Sequence, residues 1–382
     1  MSNCRIIKCI ERVNPNKKHI IAVAMVAMVM SVFVNCEESY SATRKESIGV
    51  STPASTEVES LSKEIKLLVK ELEYSDKVAE DFVNMVISWK DKQGRPVLII
   101  WKKKLARAKE DYKQGKISID RLVKAEESII GEFSQRTRKE ISYNEKFFDL
   151  ADVIKHKQAQ CVGYAQLVYI LGNSIGLSVK AINVVKLATG TLERKGHAAC
   201  IISLADGKRL MVDTWGVGGV VGRPFKTEKE FRKVGNYWEL KDKDNPLQIH
   251  RRVQMLDRNG LIAFIYINRG ATYSKLGQCH KAISDYTRAI ELNPECALAY
   301  YGRGATYVKL GQYHKAISDC TRAIELNPEC AEAYYGRGIA YIYLKKTEEA
   351  KKDLVKAVEL EPSYKASIKE ISYQHKLDLK LD

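Results

Sequence analysis

The chain has 382 residues, of which 45% are hydrophobic and 29% are charged, and its formal net charge at pH 7 is +16. This length and balance predict a soluble globular protein of two or three domains, long enough to bury sizeable cores. The basic residues are spread along helical segments and no nucleic-acid-binding motif occurs, so a nucleic acid is excluded as the expected partner.

The first 41 residues have the pattern of an export signal. An uncharged run of 15 residues, from Ile20 to Val34, is shorter than the about 20 that a membrane-spanning helix needs. Five basic residues precede it: Arg5, Lys8, Arg12, Lys17 and Lys18. A basic segment followed by a short apolar segment is typical of a secretory signal. We therefore expect an exported protein of the bacterial periplasm or cell envelope.

Three fates of this leader are open. Cleavage before Ala42 would follow the small residues Ser39 and Ser41. Lipidation would occur at Cys36, which ends a segment loosely resembling a lipoprotein cleavage box, although Asn35 stands where a small residue is usual. An uncleaved leader would attach the protein to the membrane. Each fate places residues 44–382 outside the cytoplasm.

The cysteines beyond the leader predict neither a metal site nor a cofactor. They lack the CxxC spacing of zinc sites and the density of a disulfide-stapled domain. These six residues are Cys161, Cys200, Cys279, Cys296, Cys320 and Cys330. In an oxidising compartment, one or two disulfides among the four repeat cysteines remain an open alternative.

Residues 42–140 predict a linker and then a helical region. Residues 42–58 are rich in Ser, Thr and Glu and have no periodicity, as in a flexible linker. From 59 to 140 the apolar residues recur at helical spacing, and Ser118 is placed to cap a helix. No residues in this region suggest a chemical function.

The pattern of residues 141–250 predicts an α+β domain. Helices are expected from Phe147 to His156 and from Cys161 to about Ser174. β-branched, alternating segments then predict strands over 179–185, 197–203 and 209–213. The turn signal Ala205-Asp206-Gly207-Lys208 makes the last two a hairpin.

From residue 263 the sequence repeats every 34 residues, three times, up to residue 364. Alanine, glycine, tyrosine and proline recur at fixed positions, for example Ala263, Ala297 and Ala331, Gly270, Gly304 and Gly338, and Pro294, Pro328 and Pro362. Small residues let two antiparallel helices approach closely, and proline ends the second one. Residues 365–382 read as a helix that caps the array.

This period and pattern resemble the tetratricopeptide repeat. The resemblance implies an all-α solenoid that binds a protein or peptide partner in its inner groove. Positions 5 and 12 of the repeat would face that groove. They are Tyr301, Val308, Tyr335 and Ile342. The alternative is that the two tyrosines only cover neighbouring helices.

Three residues of the α+β region suggest nucleophilic catalysis. Cys161 begins a helix, where the helix dipole and free backbone N–H groups stabilise a thiolate and an oxyanion. His197 opens a strand and Asp213 ends the next one. In a hairpin turning at Asp206-Gly207 these two lie near the same end, so the carboxylate would hold the imidazole towards the thiol. Gln158 or Gln160 is a further candidate as oxyanion donor.

The segments Cys161-Val162-Gly163-Tyr164-Ala165, Gly196-His197-Ala198 and Val212-Asp213-Thr214-Trp215 resemble the transglutaminase-like superfamily, which has a papain-type core. One departure is Ala159, where the family usually has glycine. The resemblance covers about residues 145–220. It implies that Cys161 is the nucleophile, His197 the general base and acid, and Asp213 the orienting carboxylate.

The sequence thus predicts a multidomain protein: an N-terminal helical region, an α+β transglutaminase-like domain and an all-α tetratricopeptide solenoid. The resemblance implies an exported, thiol-dependent acyl-transfer enzyme, a cysteine peptidase or amidase, whose repeats recruit a protein substrate or partner. Two alternatives are a protein-binding scaffold with an inactive transglutaminase-like domain and a transglutaminase that cross-links proteins.

Overall fold

The structure is a computed structural model that describes residues 54–144, 146–187, 192–213, 221–235, 237–242 and 250–375. The predicted leader, residues 1–41, and the lipidation candidate Cys36 lie outside these ranges. Within them, no helix combines the length and the apolar character needed to cross a membrane.

Four helices precede the first strand: α1 (Ala54–Glu71), α2 (Asp76–Ile87), α3 (Val97–Lys113) and α4 (Ile119–Glu140). Serine side chains begin two of them, because Ser75 Oγ accepts a hydrogen bond from the Val78 N–H and Ser118 Oγ accepts one from Arg121. The cap predicted at Ser118 is confirmed. Helix α1 begins at Ala54, so residues 54–58 of the predicted linker are helical instead.

Two short strands and two helices lead to the sheet: β1 (Ser142–Tyr143), α5 (Leu150–His156), β2 (Gln158–Ala159) and α6 (Cys161–Ser174). Strands β1 and β2 are parallel neighbours. Helix α5 begins three residues later than the predicted Phe147, because the Asp149 carboxylate caps it by accepting from the Ala151 N–H at 2.9 Å. Helix α6 begins at Cys161, as predicted.

The remaining strands form one seven-stranded sheet in the order β6-β5-β4-β3-β9-β8-β7. They are β3 (Ser178–Leu187), β4 (Leu192–Ser203), β5 (Arg209–Val212), β6 (Val221–Phe225), β7 (Phe231–Val234), β8 (Tyr237–Leu240) and β9 (His250–Leu256), with the single-turn helix α7 (Thr227–Glu230) before β7. The predicted hairpin at Asp206-Gly207 is present between β4 and β5. Strand β9 pairs with β3 inside the sheet and runs beyond the predicted domain boundary at residue 250.

Three helical hairpins and an end helix complete the chain. They are α8 (Arg258–Lys275) with α9 (Cys279–Leu292), α10 (Ala297–Lys309) with α11 (Tyr313–Leu326), α12 (Ala331–Tyr343) with α13 (Thr347–Leu360), and α14 (Lys365–Gln374). The small residues lie where the helices touch: a Cβ on Gly304 would be 2.9 Å from Cys320 Sγ. Ile368 of α14 is fully buried, so this helix covers the last hairpin.

Each hairpin carries the same ion pair between a partly buried arginine and a largely buried aspartate, at positions 7 and 23 of the repeat. The pairs are Arg269–Asp285, Arg303–Asp319 and Arg337–Asp353, each with two parallel hydrogen bonds of 2.7–2.9 Å. Arg303 and Arg337 also donate to Thr287 and Thr321 of the preceding hairpin, at 3.1 and 3.0 Å. The charged groups thereby fix the register between successive hairpins.

One apolar core joins the N-terminal helices, one face of the sheet and the first hairpin. It runs from Leu61 in α1 through Leu167 in α6 to Phe264 in α8, all nearly inaccessible to solvent. The predicted boundary at residue 140 therefore divides side chains that pack together. Helix α8 begins five residues before the first repeat unit, because Asp257 caps it, and its first half is buried in this core.

Equivalent glycines of two hairpins provide a test of the packing. A Cβ on Gly302 would lie 2.3 Å from the ring of the buried Tyr286, whereas a Cβ on Gly336 would lie 3.3 Å from Cys320 Sγ. We expect Gly302→Ala to lower the free energy of unfolding by about 1–3 kcal/mol through overpacking. Gly336→Ala should change it by less than about 1 kcal/mol, because better helix propensity offsets the closer contact. Urea denaturation of both variants measures the difference, and equal effects would contradict this packing.

Candidate active site

Cys161 is the first residue of α6, and its side chain is partly exposed. The preceding Gln160 is extended and its N–H donates to the Phe147 carbonyl at 2.7 Å, which fixes the direction from which the chain enters the helix. The first N–H groups of a helix have no acceptor within it. Cys161 therefore stands where backbone donors and the helix dipole favour a negative charge.

Gly163 allows the first turn of α6 to pack closely against its surroundings. A Cβ at this position would lie 2.9 Å from Val153 Cγ2, 3.0 Å from the Ala159 Cβ and 3.3 Å from the Phe147 carbonyl oxygen. Any larger residue would push the start of the helix outwards. The position of the Cys161 thiol therefore depends on this glycine.

His197 and Asp213 meet at the same end of the β4–β5 hairpin. His197 Nε2 lies 2.7 Å from Asp213 Oδ2, and the two side chains are each only 4% exposed. The two residues meet because of the register of the hairpin. Cys200 pairs with Val212, so Asp213, the next residue after Val212, lies close to the His197 end of β4. A carboxylate at this distance fixes the orientation of the imidazole ring.

The Cys161 side chain lies close enough to the same imidazole to raise its pKa. Since Nε2 is bound by Asp213, Nδ1 is the nitrogen that remains for the thiol. Burial disfavours the charged ring, but the hydrogen bond to Asp213 and then the interaction with Cys161 outweigh it and raise the pKa of His197 to about 10. The structure thus brings together the three residues predicted to form a triad, which lie on α6, on β4 and directly after β5.

The two candidate oxyanion donors differ in how they are held. Gln158 Oε1 accepts a hydrogen bond from Asn144 Nδ2 at 2.8 Å, so its orientation is set by the neighbouring segment. Gln160 is the N-cap residue of α6, but its side chain makes no capping hydrogen bond. Both flank the buried Ala159 on the approach to Cys161.

A buried polar network supports α6 from behind, and sequence reasoning did not find it. The Tyr74 hydroxyl donates to Gln166 Oε1 at 2.7 Å and accepts from the Leu150 N–H at 3.2 Å. Gln166 Nε2 in turn donates to the Phe148 carbonyl at 2.8 Å. Tyr74 lies 92 residues before Gln166, and no local pattern signals a contact across that separation.

Other cysteines lack the surroundings of Cys161. Cys200 is fully buried, its Sγ donates to the Ala165 carbonyl at 3.4 Å, and burial raises the pKa of its thiol. Burial also raises the pKa of Cys320 and Cys330 to about 12. The six cysteines of the described ranges are free thiols.

Across the same ranges, no three His, Cys, Asp or Glu side chains group as metal ligands.

The predicted ligand face of the repeats is largely used for internal packing. Ile342 is 8% exposed and lies in a core with Leu354 and Ile368, so its assignment to the ligand face is corrected: α14 covers it. Tyr335 stacks on Tyr364 at 4.9 Å. Tyr301 packs beside Cys330, and burial raises the pKa of its hydroxyl.

Val308 of α10 remains half-exposed, and it is followed by the exposed Lys309. Tyr301, Tyr335 and Ile342 each pack in or against an apolar cluster, whereas Val308 belongs to none of the clusters in the described residues. Val308, on the second hairpin, is therefore the predicted groove residue whose side chain is not used for internal packing.

Comparison with protein families identifies the helical hairpins. A tetratricopeptide repeat family model matches residues 297–330 and 331–364, and a second model, described as TPR repeat, matches residues 270–311. The C-terminal hairpins are therefore tetratricopeptide repeats, as predicted. A search of curated protein sequences gave no significant match.

Solved structures of repeat domains are similar to the same part of the chain. The first TPR domain of Spaghetti (RPAP3) bound to an HSP90 peptide is 34% identical, with a TM-score of 0.28, over 29% of this chain and 91% of that one. The Arabidopsis OM64 TPR domain is 34% identical, with a TM-score of 0.27, over 27% and 86%. The TPR2B domain of yeast Sti1, in a complex with pHsp70, is 28% identical, with a TM-score of 0.29, over 30% and 95%.

Two cysteines at equivalent helix positions test the site. Cys161 and Cys279 are both partly exposed, and each is the first residue of a helix after an N-cap glutamine without a capping hydrogen bond. An imidazolium beside a thiol favours the reactive thiolate. We expect iodoacetamide at about pH 6 to modify Cys161 at least about 10 times faster than Cys279. Peptide mass spectrometry measures both rates in one sample.

His197→Ala should bring the rate at Cys161 close to that at Cys279, because only the helix terminus then acts on the thiol. Equal rates at the two cysteines in the wild-type protein would mean that no reactive pair is assembled.

The pKa of His197 also predicts a pH dependence of stability. The folded-state pKa, about 10, lies above the ordinary value of 6.5, so the native protein binds this proton more tightly than the unfolded chain does. The resulting stabilisation is complete below about pH 6.5 and is lost as the pH rises through about 10. The difference in free energy of unfolding between wild type and His197→Gln should therefore shrink from pH 6.5 to pH 10 in urea titrations. A difference that stays constant or grows would contradict the assignment.

Proposed function

We propose that this protein is an exported, thiol-dependent acyl-transfer enzyme of transglutaminase-like type, a cysteine peptidase or amidase, whose tetratricopeptide repeats bind a protein substrate or partner. The observation that carries this proposal is the convergence of Cys161, His197 and Asp213. The imidazole is held by a buried carboxylate at 2.7 Å and lies close to a cysteine at a helix start. Nucleophile, base and orienting acid are the parts that acyl transfer through a thiol requires.

In the first half-reaction the Cys161 thiolate attacks the carbonyl carbon of an amide. A C–S bond forms, and the carbonyl electrons move to oxygen, which lies near the first N–H groups of α6. Because α6 starts at Cys161, these donors are already oriented and need no rearrangement. The C–N bond then breaks as the His197 imidazolium gives its proton to the leaving amine, and a thioester remains.

In the second half-reaction His197 acts as a base. It takes a proton from water as the water oxygen attacks the thioester carbonyl, the C–S bond breaks, and a carboxylic acid is released. The imidazolium formed in this step and the released thiolate are again the starting pair, and the carboxylic acid loses its proton to solvent. Asp213 keeps the ring in one orientation through both steps and stabilises its charged form. An amine in place of water would give a new amide, that is, transfer instead of hydrolysis.

The repeats supply a binding module beside this site. TPR domains of RPAP3 that are similar to this part of the chain have been solved bound to an HSP90 peptide and to an HSP70 peptide. For this chain we propose a polypeptide partner of unspecified sequence, bound along the half-exposed second hairpin near Val308. The basic leader and its short apolar run support delivery to a bacterial periplasm or envelope, with membrane attachment through Cys36 or an uncleaved leader as the alternative to simple cleavage.

A binding scaffold is the second candidate function. It is favoured by the family match, which covers the repeats and not the residues around Cys161. Under this alternative the buried His197–Asp213 pair only stabilises the sheet, and Cys161 is an ordinary thiol.

The test is turnover of an unbiased set of peptide amides by the mature protein and two single-cysteine variants. Cys161→Ala should abolish hydrolysis while thermal unfolding and repeat binding stay unchanged, because a small partly exposed side chain is removed. Cys279→Ala, the matched control, should leave turnover as in the wild-type protein. Turnover retained in Cys161→Ala would contradict the enzyme and favour the scaffold.

Addition of a primary amine separates hydrolysis from transfer. We expect the free acid to remain the main product, as for a peptidase or amidase. Mass spectrometry would detect the amine adduct if the protein were a cross-linking transglutaminase.

A further inference from the structure

The first repeat contacts the turn between α1 and α2 through charged and hydroxyl groups. Glu73 in this turn accepts a hydrogen bond from the Tyr266 hydroxyl at 2.8 Å and pairs with Arg288 at 2.6 Å. Tyr266 belongs to α8 and Arg288 to α9, so both helices of the first repeat converge on one carboxylate. The hydrogen bond from Arg288 lowers the pKa of Glu73, which keeps this group charged.

Glu73 belongs to the turn that ends α1. Its φ is +64°, in the left-handed region that residues other than glycine seldom adopt. The N–H groups of Glu73 and Tyr74 donate to the carbonyls of Lys70 and Val69 at 2.9 and 3.4 Å, which is the usual hydrogen bonding of a helix end with a left-handed residue. The helix end therefore fixes the backbone of this turn, and the first repeat contacts its side chain.

The next residue, Tyr74, connects the same turn to the helix that carries Cys161. Its buried hydroxyl bonds Gln166 Oε1 at 2.7 Å and the Leu150 N–H at 3.2 Å. Gln166 is fully buried and donates to the Phe148 carbonyl at 2.8 Å and to the Val162 carbonyl at 3.3 Å. Val162 directly follows Cys161, so this network ends in the first turn of α6.

An electrostatic interaction with the first repeat acts near the other end of the network. Burial raises the pKa of Asp149, and the positive charge of Arg269 opposes this increase without cancelling it. Asp149 caps α5 and immediately precedes Leu150, whose N–H bonds Tyr74. In the later repeats the equivalent arginine bonds a threonine of the preceding hairpin, as Arg303 does with Thr287.

We infer that Glu73 and Tyr74 are positioning residues through which the first tetratricopeptide repeat holds the start of α6, so that contacts made on the repeat control the reactivity of Cys161. This inference rests on the proposed function, since it concerns the same thiol. The physical reason is that a buried hydroxyl and a buried amide must keep their partners. A shift of the α1–α2 turn therefore moves Gln166, and with it the helix start, instead of leaving these groups unpaired.

The repeat itself provides a matched control. Tyr300 and Arg322 occupy the same repeat positions as Tyr266 and Arg288, and Arg322 makes the same exposed pair with a glutamate three residues on. Tyr266 and Arg288 contact Glu73, whereas Arg322 forms a hydrogen bond with Tyr300 of its own repeat. The experiment compares the double variant Tyr266→Phe/Arg288→Ala with Tyr300→Phe/Arg322→Ala in the full mature protein.

The readout is the rate at which iodoacetamide modifies Cys161 between about pH 5 and 9, relative to Cys279 in the same sample. We expect Tyr266→Phe/Arg288→Ala to slow Cys161 at about pH 6 by roughly 3-fold or more and to move its pH profile upwards. The Tyr300→Phe/Arg322→Ala control should match the wild-type protein. Tyr74→Phe, which keeps the ring and removes the hydroxyl, should have the same effect as Tyr266→Phe/Arg288→Ala.

Thermal unfolding shows that each variant is folded at the assay temperature. If wild-type Cys161 is fast and Tyr266→Phe/Arg288→Ala keeps its pH profile, the inference is overturned and the proposed function stands. If wild-type Cys161 is no faster than Cys279, both fail together.

Discussion

The buried hydrogen bond between His197 Nε2 and Asp213 Oδ2 is the constraint on which the account depends. Removing an imidazole and a carboxylate from water is unfavourable unless each satisfies the other. Their separation is set by the register of the β4–β5 hairpin, and the hairpin is fixed by the turn at Gly207, whose φ is +79°. The sheet thereby holds the imidazole in one orientation beside the start of α6, where Cys161 lies.

The rest of the chain holds that helix start in place. Helices α1–α4 pack in one core with α6 and with the first half of α8, so the repeat array grows directly from the unit that carries the three residues. Within the array, each arginine that pairs with an aspartate of its own hairpin also bonds a threonine of the hairpin before it, as Arg303 and Arg337 do. The series stops where Val355 and Ile371 replace the threonine and arginine of the pattern, and α14 covers the end. A partner bound to such an array acts on a body whose first hairpin shares its apolar core with α6.

Local sequence signals predicted the elements that depend on local chemistry. The glycine, alanine and proline positions of the repeats, the start of α6 at Cys161, the turn at Asp206-Gly207 and the cap at Ser118 each follow from one short pattern. Contacts across long separations had no such signal: Glu73 meets residues 193 and 215 positions away. Ile342 was assigned to a groove because its repeat position allows it, but the packing of Ile368 from the end helix buries it. Strand β9 was missed because its place inside the sheet depends on its pairing with β3.

The most direct test is the titration of the His197 ring by NMR, using histidine labelled at Cε1. The protein has 7 histidines, and the spectrum of His197→Gln identifies the resonance. The account predicts that His197 stays protonated through neutral pH and titrates near pH 10, and that Asp213→Asn moves this midpoint down. A His197 resonance that titrates at or below the ordinary value of 6.5 in the wild-type protein would contradict it, because the ring beside Cys161 would then be neutral.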